Sequence, residues 1–255
     1  NVFGTAVATR AVKFATAAFC VCLFVVIGAF LQGNEGIETL KHLSQGGTVQ
    51  GAFITMFTAA LTVTIMTVIG IPVSTSQAVV GSIIGMALAA SGKANFGQLP
   101  KLFICWVGTP IGAMIISAFF YRVLGPIWDK ISDRFDIETL DRYLRIALII
   151  VGSYGAYALG ANNIANVVGV FAPFHPFNTL SNQWLGAIGA LSICVGVITF
   201  GRKVMLTVGN DLVPLVPFTA FIAVLSESIT IHIYAMVGVP VSTSQAIVGG
   251  VLGIG

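Results

Sequence analysis

Long apolar runs separated by short polar segments dominate this sequence and predict a series of membrane-spanning helices. About 20 apolar residues suffice to cross the hydrocarbon core of a bilayer, so each long run is predicted to form one crossing. These runs occupy residues 11–31, 52–69, 102–124, 146–160, 185–200 and 213–237. The run at 78–90 is too short for a full crossing and favours a re-entrant or broken helix.

Three polar segments interrupt this pattern and predict the topology. Residues 32–51 and 201–212 are predicted loops, and residues 125–145 are a predicted connector that carries four Asp, one Glu and four of the 12 basic residues. Basic residues favour the cytoplasmic side of a membrane. We therefore place the charged connector and the loop with Arg202 and Lys203 in the cytoplasm, and the loop at 32–51, with its single Lys41, outside.

One stretch occurs twice in the chain. Residues 70–81 read Gly-Ile-Pro-Val-Ser-Thr-Ser-Gln-Ala-Val-Val-Gly, and residues 238–249 repeat ten of these twelve residues. Both differences exchange one β-branched residue for another, so side-chain volume and stiffness are retained. A match of this length within one chain indicates an internal duplication.

The duplication extends beyond this stretch and predicts two repeats. Asn-Val-Phe-Gly at 1–4 aligns with Asn-Val-Val-Gly at 166–169. We predict a first membrane repeat at 1–124 with its N-terminal part missing, then the connector, and a second repeat at 146–255. An odd number of crossings separates the loop at 32–51 from its counterpart at 201–212. The predicted fold is therefore an all-α integral membrane protein with inverted-topology repeats and broken or re-entrant helices.

Composition supports a membrane protein and excludes several other classes. Charged residues make up 8% of the 255 residues and apolar residues 56%, and the mean hydropathy is +0.97. A net charge of +3 spread over the loops gives no support for nucleic-acid binding. The spacing of the four cysteines fits neither a zinc site nor a disulfide framework.

The repeated stretch has the features of a helix start that holds an anion. Pro72 disfavours helix before it, and a hydroxyl at Ser74 or Thr75 can cap the helix that follows. The N–H groups of the first turn then carry partial positive charge, which attracts an anion. A plain N-cap would explain a single copy. Two copies in a membrane protein match the paired broken-helix ends at the repeat interface of transporters.

Two further polar features lie in apolar surroundings. Residues 160–166, Gly-Ala-Asn-Asn-Ile-Ala-Asn, bring three amides to membrane depth, where each needs a partner. Glu227 lies deep in an apolar run, which predicts coupling to a cation or proton. The alternative is a Glu227 that is protonated or bonded to the hydroxyl of Ser226 or Thr230. His232 is predicted to be a hydrogen-bonding spacer rather than a ligand.

Together these segments resemble the PiT family of inorganic phosphate transporters. The resemblance rests on the two Gly-x-Pro-Val-Ser-Thr-Ser-Gln stretches, the segment at 160–166, and Gly-Arg-Lys-Val-Met-Leu-Thr-Val-Gly at 201–209. It implies an inverted-repeat fold, cation-coupled phosphate uptake and a homodimer in the lipid bilayer of a plasma or inner membrane. Sodium or a proton would be the coupling ion, and no other cofactor is implied.

The resemblance also implies the site residues. Those matched to the segments that line the family's phosphate site are Ser74, Thr75, Ser76, Gln77, Ser242, Thr243, Ser244, Gln245, Asn162, Asn166 and Asn1. The candidate cation-coupling residues are Asn163, Glu227 and Thr230, and the first two are candidate sodium ligands. Asn163 stands where the family usually has Asp. This weakens the case for a cation there, although an amide oxygen can still ligate one.

The sequence therefore predicts inorganic phosphate transport by alternating access of the two repeats around one anion site. A sulfate permease of the same fold is the first alternative, because the family includes sulfate-carrying relatives. An anion channel could use the same helix ends without coupling. An enzyme is disfavoured, since the chain has neither a His-Glu-x-x-His nor a Gly-x-Ser-x-Gly motif.

Overall fold

A computed structural model describes residues 2–8, 11–44, 47–69, 73–91, 96–211 and 216–255, and these residues form helices and no β-strand. In chain order the helices are α1 (Gly4–Ala8), α2 (Phe14–Gln32), α3 (Asn34–Leu43), α4 (Val49–Ile69), α5 (Thr75–Ser91), α6 (Leu99–Ser132), α7 (Ile137–Asn163), α8 (Ala165–Val168), α9 (Asn182–Asp211), α10 (Pro217–Val237) and α11 (Thr243–Leu252). A 3-10 turn, Phe177–Thr179, precedes α9.

Six helical segments among the described residues are long and apolar enough to cross a membrane. They are Phe14–Gln32, Val49–Ile69, Leu99–Ser132, Ile137–Val168, Asn182–Arg202 and Pro217–Val237. The apolar helix α5, which contains the run at 78–90, is shorter, as predicted for a broken or re-entrant element, and α11 is also short. The chain is a multi-pass membrane protein, and the prediction of an all-α integral membrane fold is confirmed.

Glycines bring α2 and α7 into direct backbone contact. A Cβ atom at Gly28 would collide with the carbonyl oxygen of Tyr157, and one at Gly160 with the carbonyl oxygen of Val25. Small residues allow such close approach of helices in membrane proteins. This contact fixes the end of α7, which carries Asn162, inside the helix bundle.

Contacts at their ends give the relative direction of α6 and α10. At the start of α6, Lys101 Nζ donates to the carbonyl oxygen of Val237, 2.9 Å away at the end of α10. At the other end of α6, Trp128 stacks on Phe218 near the start of α10, with ring centroids 5.0 Å apart. The two helices are therefore antiparallel. Because residues 133–136 join α6 to α7, the end of α6 and the starts of α7 and α10 share one side, here called the connector face.

Two helical hairpins enter the bundle from opposite sides. α10 starts at the connector face, the chain turns at 238–242, and α11 runs back beside α6, where Gly249 contacts Pro110. The hairpin of α4 and α5 has the reverse orientation, because α5 ends just before α6 begins and α4 packs antiparallel on it, with Gly51 against Met86. The tips of the two hairpins therefore approach each other from opposite faces.

The equivalent helices α2 and α9 also point in opposite directions. Phe30 near the end of α2 contacts Trp184 near the start of α9, with ring centroids 5.5 Å apart. At the other ends, Gly201 faces Phe14. Repeat-related helices that run antiparallel are what an inverted duplication produces, so the prediction of inverted repeats agrees with the structure.

Two predicted loops contain helix instead. Within 32–51, α3 buries Ile37 and Leu40, three residues apart, and exposes Glu35, so its polar residues mark one face of an amphipathic helix. The segment 201–212 was also predicted as a loop, but α9 continues to Asp211. Both errors have the same cause, because charged residues were taken to mark a loop where the backbone is helical.

The predicted connector and the predicted break at 160–166 are also largely helical. α6 continues through Pro126 to Ser132, and α7 begins at Ile137 after the N-cap Asp136, whose carboxylate accepts from Thr139 N at 3.2 Å. Within 125–145 the non-helical residues are therefore 133–136. α7 also continues through the first two asparagines to Asn163, and the interruption lies at Ile164.

Candidate functional site

Both copies of the repeated stretch begin a helix with the same cap. The Ser74 hydroxyl accepts from the backbone N–H of Gln77 at 3.4 Å, and the Ser242 hydroxyl accepts from the backbone N–H of Gln245 at 3.3 Å. Each of these bonds satisfies one of the backbone N–H groups in the first turn of its helix. The predicted capping role of Ser74 is confirmed, and its counterpart in the second repeat does the same.

The two hairpin tips meet at a buried serine. The Ser76 hydroxyl, in the first turn of α5, donates to the carbonyl oxygen of Val241 at 3.2 Å and accepts from Asn166 Nδ2 at 2.9 Å. Ser76 has no exposed surface and Asn166 is 2% exposed. Residues from both repeats therefore form one polar cluster inside an otherwise apolar bundle.

The asparagines of α7 and α8 complete this cluster. Asn162 Nδ2 donates to the carbonyl oxygen of Val239 at 2.8 Å, and its Oδ1 accepts from Val241 N at 2.9 Å. Asn163 Oδ1 accepts from Asn166 Nδ2 at 3.0 Å. Asn163 Nδ2 and Asn166 Oδ1 are buried without a hydrogen-bond partner among the described residues. The cluster thus retains one buried donor and one buried acceptor that a bound ion could use.

The glutamines that end the two Ser-Thr-Ser-Gln sequences face the same cavity. This cavity has a volume of about 650 Å³ and lies between the starts of α5 and α11 and the side of α6. Its lining residues are Gln77, Phe103, Trp106, Val107, Pro110, Ile111 and Gln245. Gln245 Oε1 is buried without a partner among the described residues. Equivalent residues of the two repeats therefore line one space.

The remaining predicted substrate residues differ in their surroundings. Thr75 is exposed, whereas Thr243 and Ser244 at the start of α11 are half-buried. Asn1 lies outside the described residues. The structure thus brings together Ser76, Asn162, Asn166 and the second stretch, with Thr75 at the edge.

Glu227 is fully buried in α10, and neither carboxylate oxygen has a hydrogen-bond partner among the described residues. The neighbouring hydroxyls are used elsewhere, since Ser226 donates to Ile222 O at 2.8 Å and Thr230 donates to Ser226 O at 2.7 Å. The alternative in which one of these hydroxyls donates to Glu227 is therefore wrong for this structure. A buried carboxylate without a protein donor needs a proton or a cation to offset its desolvation.

His232 links three helices. Its Nδ1 lies 2.9 Å from the Tyr154 hydroxyl on α7, and its Nε2 lies 2.7 Å from Gln32 Oε1 on α2. Because the Gln32 oxygen can only accept, Nε2 donates to it, and Nδ1 shares a hydrogen bond with the Tyr154 hydroxyl. His232 is thus a hydrogen-bonding link between α10, α7 and α2, in agreement with its predicted role as a spacer.

A second, more polar cavity opens on the face opposite the connector. Its volume is about 540 Å³, and its residues are Leu31, Gln32, Asn34, Glu35, Ser181, Asn182, Gln183, Ala235 and Met236. Asn182 Nδ2 lies 2.7 Å from both Asn34 Oδ1 and Glu38 Oε1. Partial burial opposes ionisation of Glu38, but hydrogen bonds from Asn182 and Lys41 outweigh it and hold the pKa of this carboxyl below its usual value.

Three residues that contact the backbone of residues 237–240 were not singled out from the sequence. Thr39 donates to Gly238 O at 2.7 Å, Lys101 donates to Val237 O at 2.9 Å, and Trp106 Nε1 donates to Pro240 O at 3.1 Å. A buried indole N–H needs an acceptor, so Trp106 in an apolar run was a usable signal. Thr39 and Lys101 gave none, because their partners are far away in sequence.

Sequence comparison places this arrangement among known proteins. The sequence model of the phosphate transporter family matches residues 1–255. The chain is 30% identical over 257 residues to a Methanocaldococcus jannaschii protein and 25% identical over 346 residues to a Helicobacter pylori protein, each named "Putative phosphate permease". Both alignments include 100% of this chain, which spans 78% of the first relative and 64% of the second.

The fold is also found in a solved structure named "The sodium-dependent phosphate transporter". The superposition covers 99% of this chain and 83% of that chain, with a TM-score of 0.82 at 22% sequence identity. The helical arrangement is therefore shared with that structure.

Proposed function

The chain belongs to the phosphate transporter family, and from this premise we propose that it carries inorganic phosphate across a membrane in symport with a cation, without converting it chemically. The coupling ion is proposed to be sodium, the ion in the name of the structural relative. The homodimer and the location in a plasma or inner membrane, both implied by the family resemblance, are part of this proposal.

One observation carries the proposal. The contact between Ser76 and Val241 brings the N-terminal turns of α5 and α11 together from opposite faces of the bundle. Each turn contributes partial positive charge and hydroxyl groups, which suit a tetrahedral oxyanion. The proposed phosphate-binding residues are therefore those of the two turns together with Asn166: Ser74, Thr75, Ser76, Gln77, Ser242, Thr243, Ser244 and Gln245.

The charge of phosphate supports a coupled cation. Phosphate carries one to two negative charges near neutral pH, and a helix end offers about half a positive charge. In a low-dielectric site, the negative charge that remains uncompensated is unfavourable in free energy. We propose that a bound cation offsets it, with the unpaired carboxylate of Glu227, beside Thr230 on the same helix, as the charged coupling group and with Asn163 as a separate candidate ligand in the polar cluster. Cation and phosphate then tighten each other's binding.

Transport is proposed to occur by alternating access. The site lies where the repeats meet, so rocking one repeat against the other would open it first to one face and then to the other. The hydrogen bonds from Ser76 to Val241 and from Asn166 to Ser76 connect different elements across this junction. We propose that these hydrogen bonds break and re-form as the repeats move.

Uptake of radiolabelled phosphate into proteoliposomes tests the proposal. The expected result is saturable uptake that requires an inward sodium gradient and is unaffected by sulfate. Uptake that needs a proton gradient instead would overturn the choice of ion. Competition by sulfate would favour a sulfate permease, and gradient-independent, non-saturating flux would favour an anion channel. Chemical cross-linking in the bilayer tests the homodimer, which a product of monomer mass alone would contradict.

A further inference from the structure

Five consecutive carbonyl groups, at residues 237–241, each accept a hydrogen bond from a side chain of another element. The donors, in order along the segment, are Lys101 Nζ at 2.9 Å, Thr39 Oγ1 at 2.7 Å, Asn162 Nδ2 at 2.8 Å, Trp106 Nε1 at 3.1 Å and Ser76 Oγ at 3.2 Å. They come from α6, α3, α7 and α5. This segment, the tip of the second hairpin, is thus hydrogen-bonded to side chains of four different helices.

The tip needs such partners because it is not helical. Residues 239–242 lie between α10 and α11, so their peptide groups have no regular helical partners. In a membrane protein, unpaired backbone groups away from water are costly, and irregular backbone persists where protein groups satisfy it. The left-handed conformation of Gly238, with φ of 75°, starts the turn, and a Cβ there would press on the backbone of Glu35.

Two of the donors are bonded to the tip through their polar atoms, and the indole N–H of Trp106 has no further hydrogen to offer a ligand. The indole of Trp106 has a single donor, and that donor is bonded to Pro240. Asn162 uses Nδ2 for Val239 and Oδ1 for Val241, and the residue is 1% exposed. Both side chains therefore hydrogen-bond the backbone immediately before the cap residue Ser242.

We propose that Thr39, Trp106 and Asn162 are positioning residues of the anion site. They hold the tip so that Ser242 and the first turn of α11 face the first turn of α5 before the anion arrives. This inference rests on the proposed function for its substrate, and it assigns Asn162 to the tip rather than to direct contact with phosphate. Pre-organised donors bind an anion more tightly because the ordering of the backbone is complete beforehand.

Matched substitutions separate positioning from general packing. Trp106→Phe removes the N–H donor and keeps an aromatic ring, whereas Trp184→Phe is the control on an exposed ring. Thr39→Val removes the hydroxyl at constant shape, and Thr39→Ser restores it. We expect Trp106→Phe and Thr39→Val to raise the phosphate KM by about 3- to 10-fold, the effect of one lost hydrogen bond. Trp184→Phe and Thr39→Ser should stay near the wild-type value.

The effects of Trp106→Phe and Thr39→Val on the phosphate KM should also depend on each other. Both substitutions loosen one segment, so the KM of the Trp106→Phe/Thr39→Val double variant should differ from the product of the single effects. A purely structural role would instead lower the thermal stability of the variants and leave the phosphate KM unchanged. A KM within twofold of wild type for both single variants, in a protein that shows saturable phosphate uptake, would overturn the proposal.

Hydrogen exchange provides a readout that does not depend on transport. Amide exchange in the peptide that contains 238–245 should be slow in the wild type and faster in Trp106→Phe and Thr39→Val, while Trp184→Phe leaves it slow. Exchange that is equal in all variants would refute the role of these side chains in holding the tip. If the wild type took up no phosphate, the proposed function would fail, and the exchange data alone would decide whether these residues hold the tip.

Discussion

The hydroxyl of Ser76 donates a hydrogen bond to the main-chain carbonyl oxygen of Val241, 3.2 Å away. The two residues belong to different copies of the duplicated stretch, 165 positions apart in sequence. Their contact joins two hairpins that enter from opposite faces, and it lies next to both capped helix starts. The two copies of the duplicated stretch therefore contribute to one site.

Replacing Ser76 with alanine should weaken the junction between the repeats. Ser76→Ala leaves the buried carbonyl of Val241 and the amide of Asn166 each without one partner, which should destabilise the protein by about 1–3 kcal/mol. Phosphate uptake should fall as well. Thermal unfolding in detergent and uptake in proteoliposomes measure the two effects.

The control for this change is Ser117→Ala. Ser117 is equally buried, but its hydroxyl donates within its own helix to Met114 O at 3.1 Å. Its removal should have a smaller effect on uptake. Equal losses of uptake in the two variants would show that Ser76 has no special part in the junction.

The double substitution Ser242→Ala/Thr243→Ala should abolish most phosphate binding and leave insertion intact. It removes the N-cap of α11, worth about 1 kcal/mol, and two hydroxyls near a charged ligand, each worth about 1.5–3 kcal/mol. The matched control is Thr62→Ala/Thr64→Ala, because both threonines donate to carbonyls of their own helix. Wild-type uptake in the Ser242→Ala/Thr243→Ala variant would refute the assignment of the site.

Glu227→Gln should uncouple phosphate binding from sodium. The amide keeps the shape of the side chain but removes the negative charge that would hold the cation in a buried position. Coupling between two ligands commonly changes affinity by about 5- to 150-fold, and this factor should approach one in the variant. Phosphate affinity at increasing sodium concentration measures it, with the exposed Glu138→Gln as control. Undiminished sodium dependence in Glu227→Gln would exclude Glu227 as the coupling group.

The hydrogen bonds of Glu38 predict a pH-dependent contribution to stability. The pKa of its carboxyl is lowered in the folded protein, so the contribution is present above the unfolded value of about 4.3 and is lost as the pH falls through the folded value. Thermal stability of wild type and Glu38→Gln should therefore converge in acid and diverge near neutral pH. Glu35→Gln on the exposed side of α3 is the control. Parallel pH profiles for wild type and Glu38→Gln would contradict the prediction.

Much of the fold could be predicted because membrane helices leave a strong local signal. The long apolar runs became helices, and the identical Ser-Thr-Ser-Gln sequences became two capped helix starts. Polar residues misled the prediction where they lie on one face of a helix. Ile37 and Leu40 are spaced for an amphipathic helix, but Glu35, Glu38 and Lys41 suggested a loop.

The candidate site could be predicted less completely, because its contacts are long-range. The resemblance pointed to Asn162 and Ser76, yet neither local sequence nor periodicity indicates that Asn162 binds the backbone of residues 239 and 241. Trp106 and Thr39 reach the same tip from 134 and 199 positions away. Such pairings depend on how the hairpins pack, which the pattern of one segment does not encode.

Equilibrium binding of radiolabelled phosphate to the purified protein, with and without sodium, tests the central claim most directly. The two helix starts should bind the anion, and the buried carboxylate of Glu227 should bind a cation whose binding is coupled to it. The account predicts saturable binding that sodium tightens by about 5- to 150-fold, and loss of that binding in Ser242→Ala/Thr243→Ala. Phosphate binding that is unaffected by sodium and unchanged in this variant would contradict it.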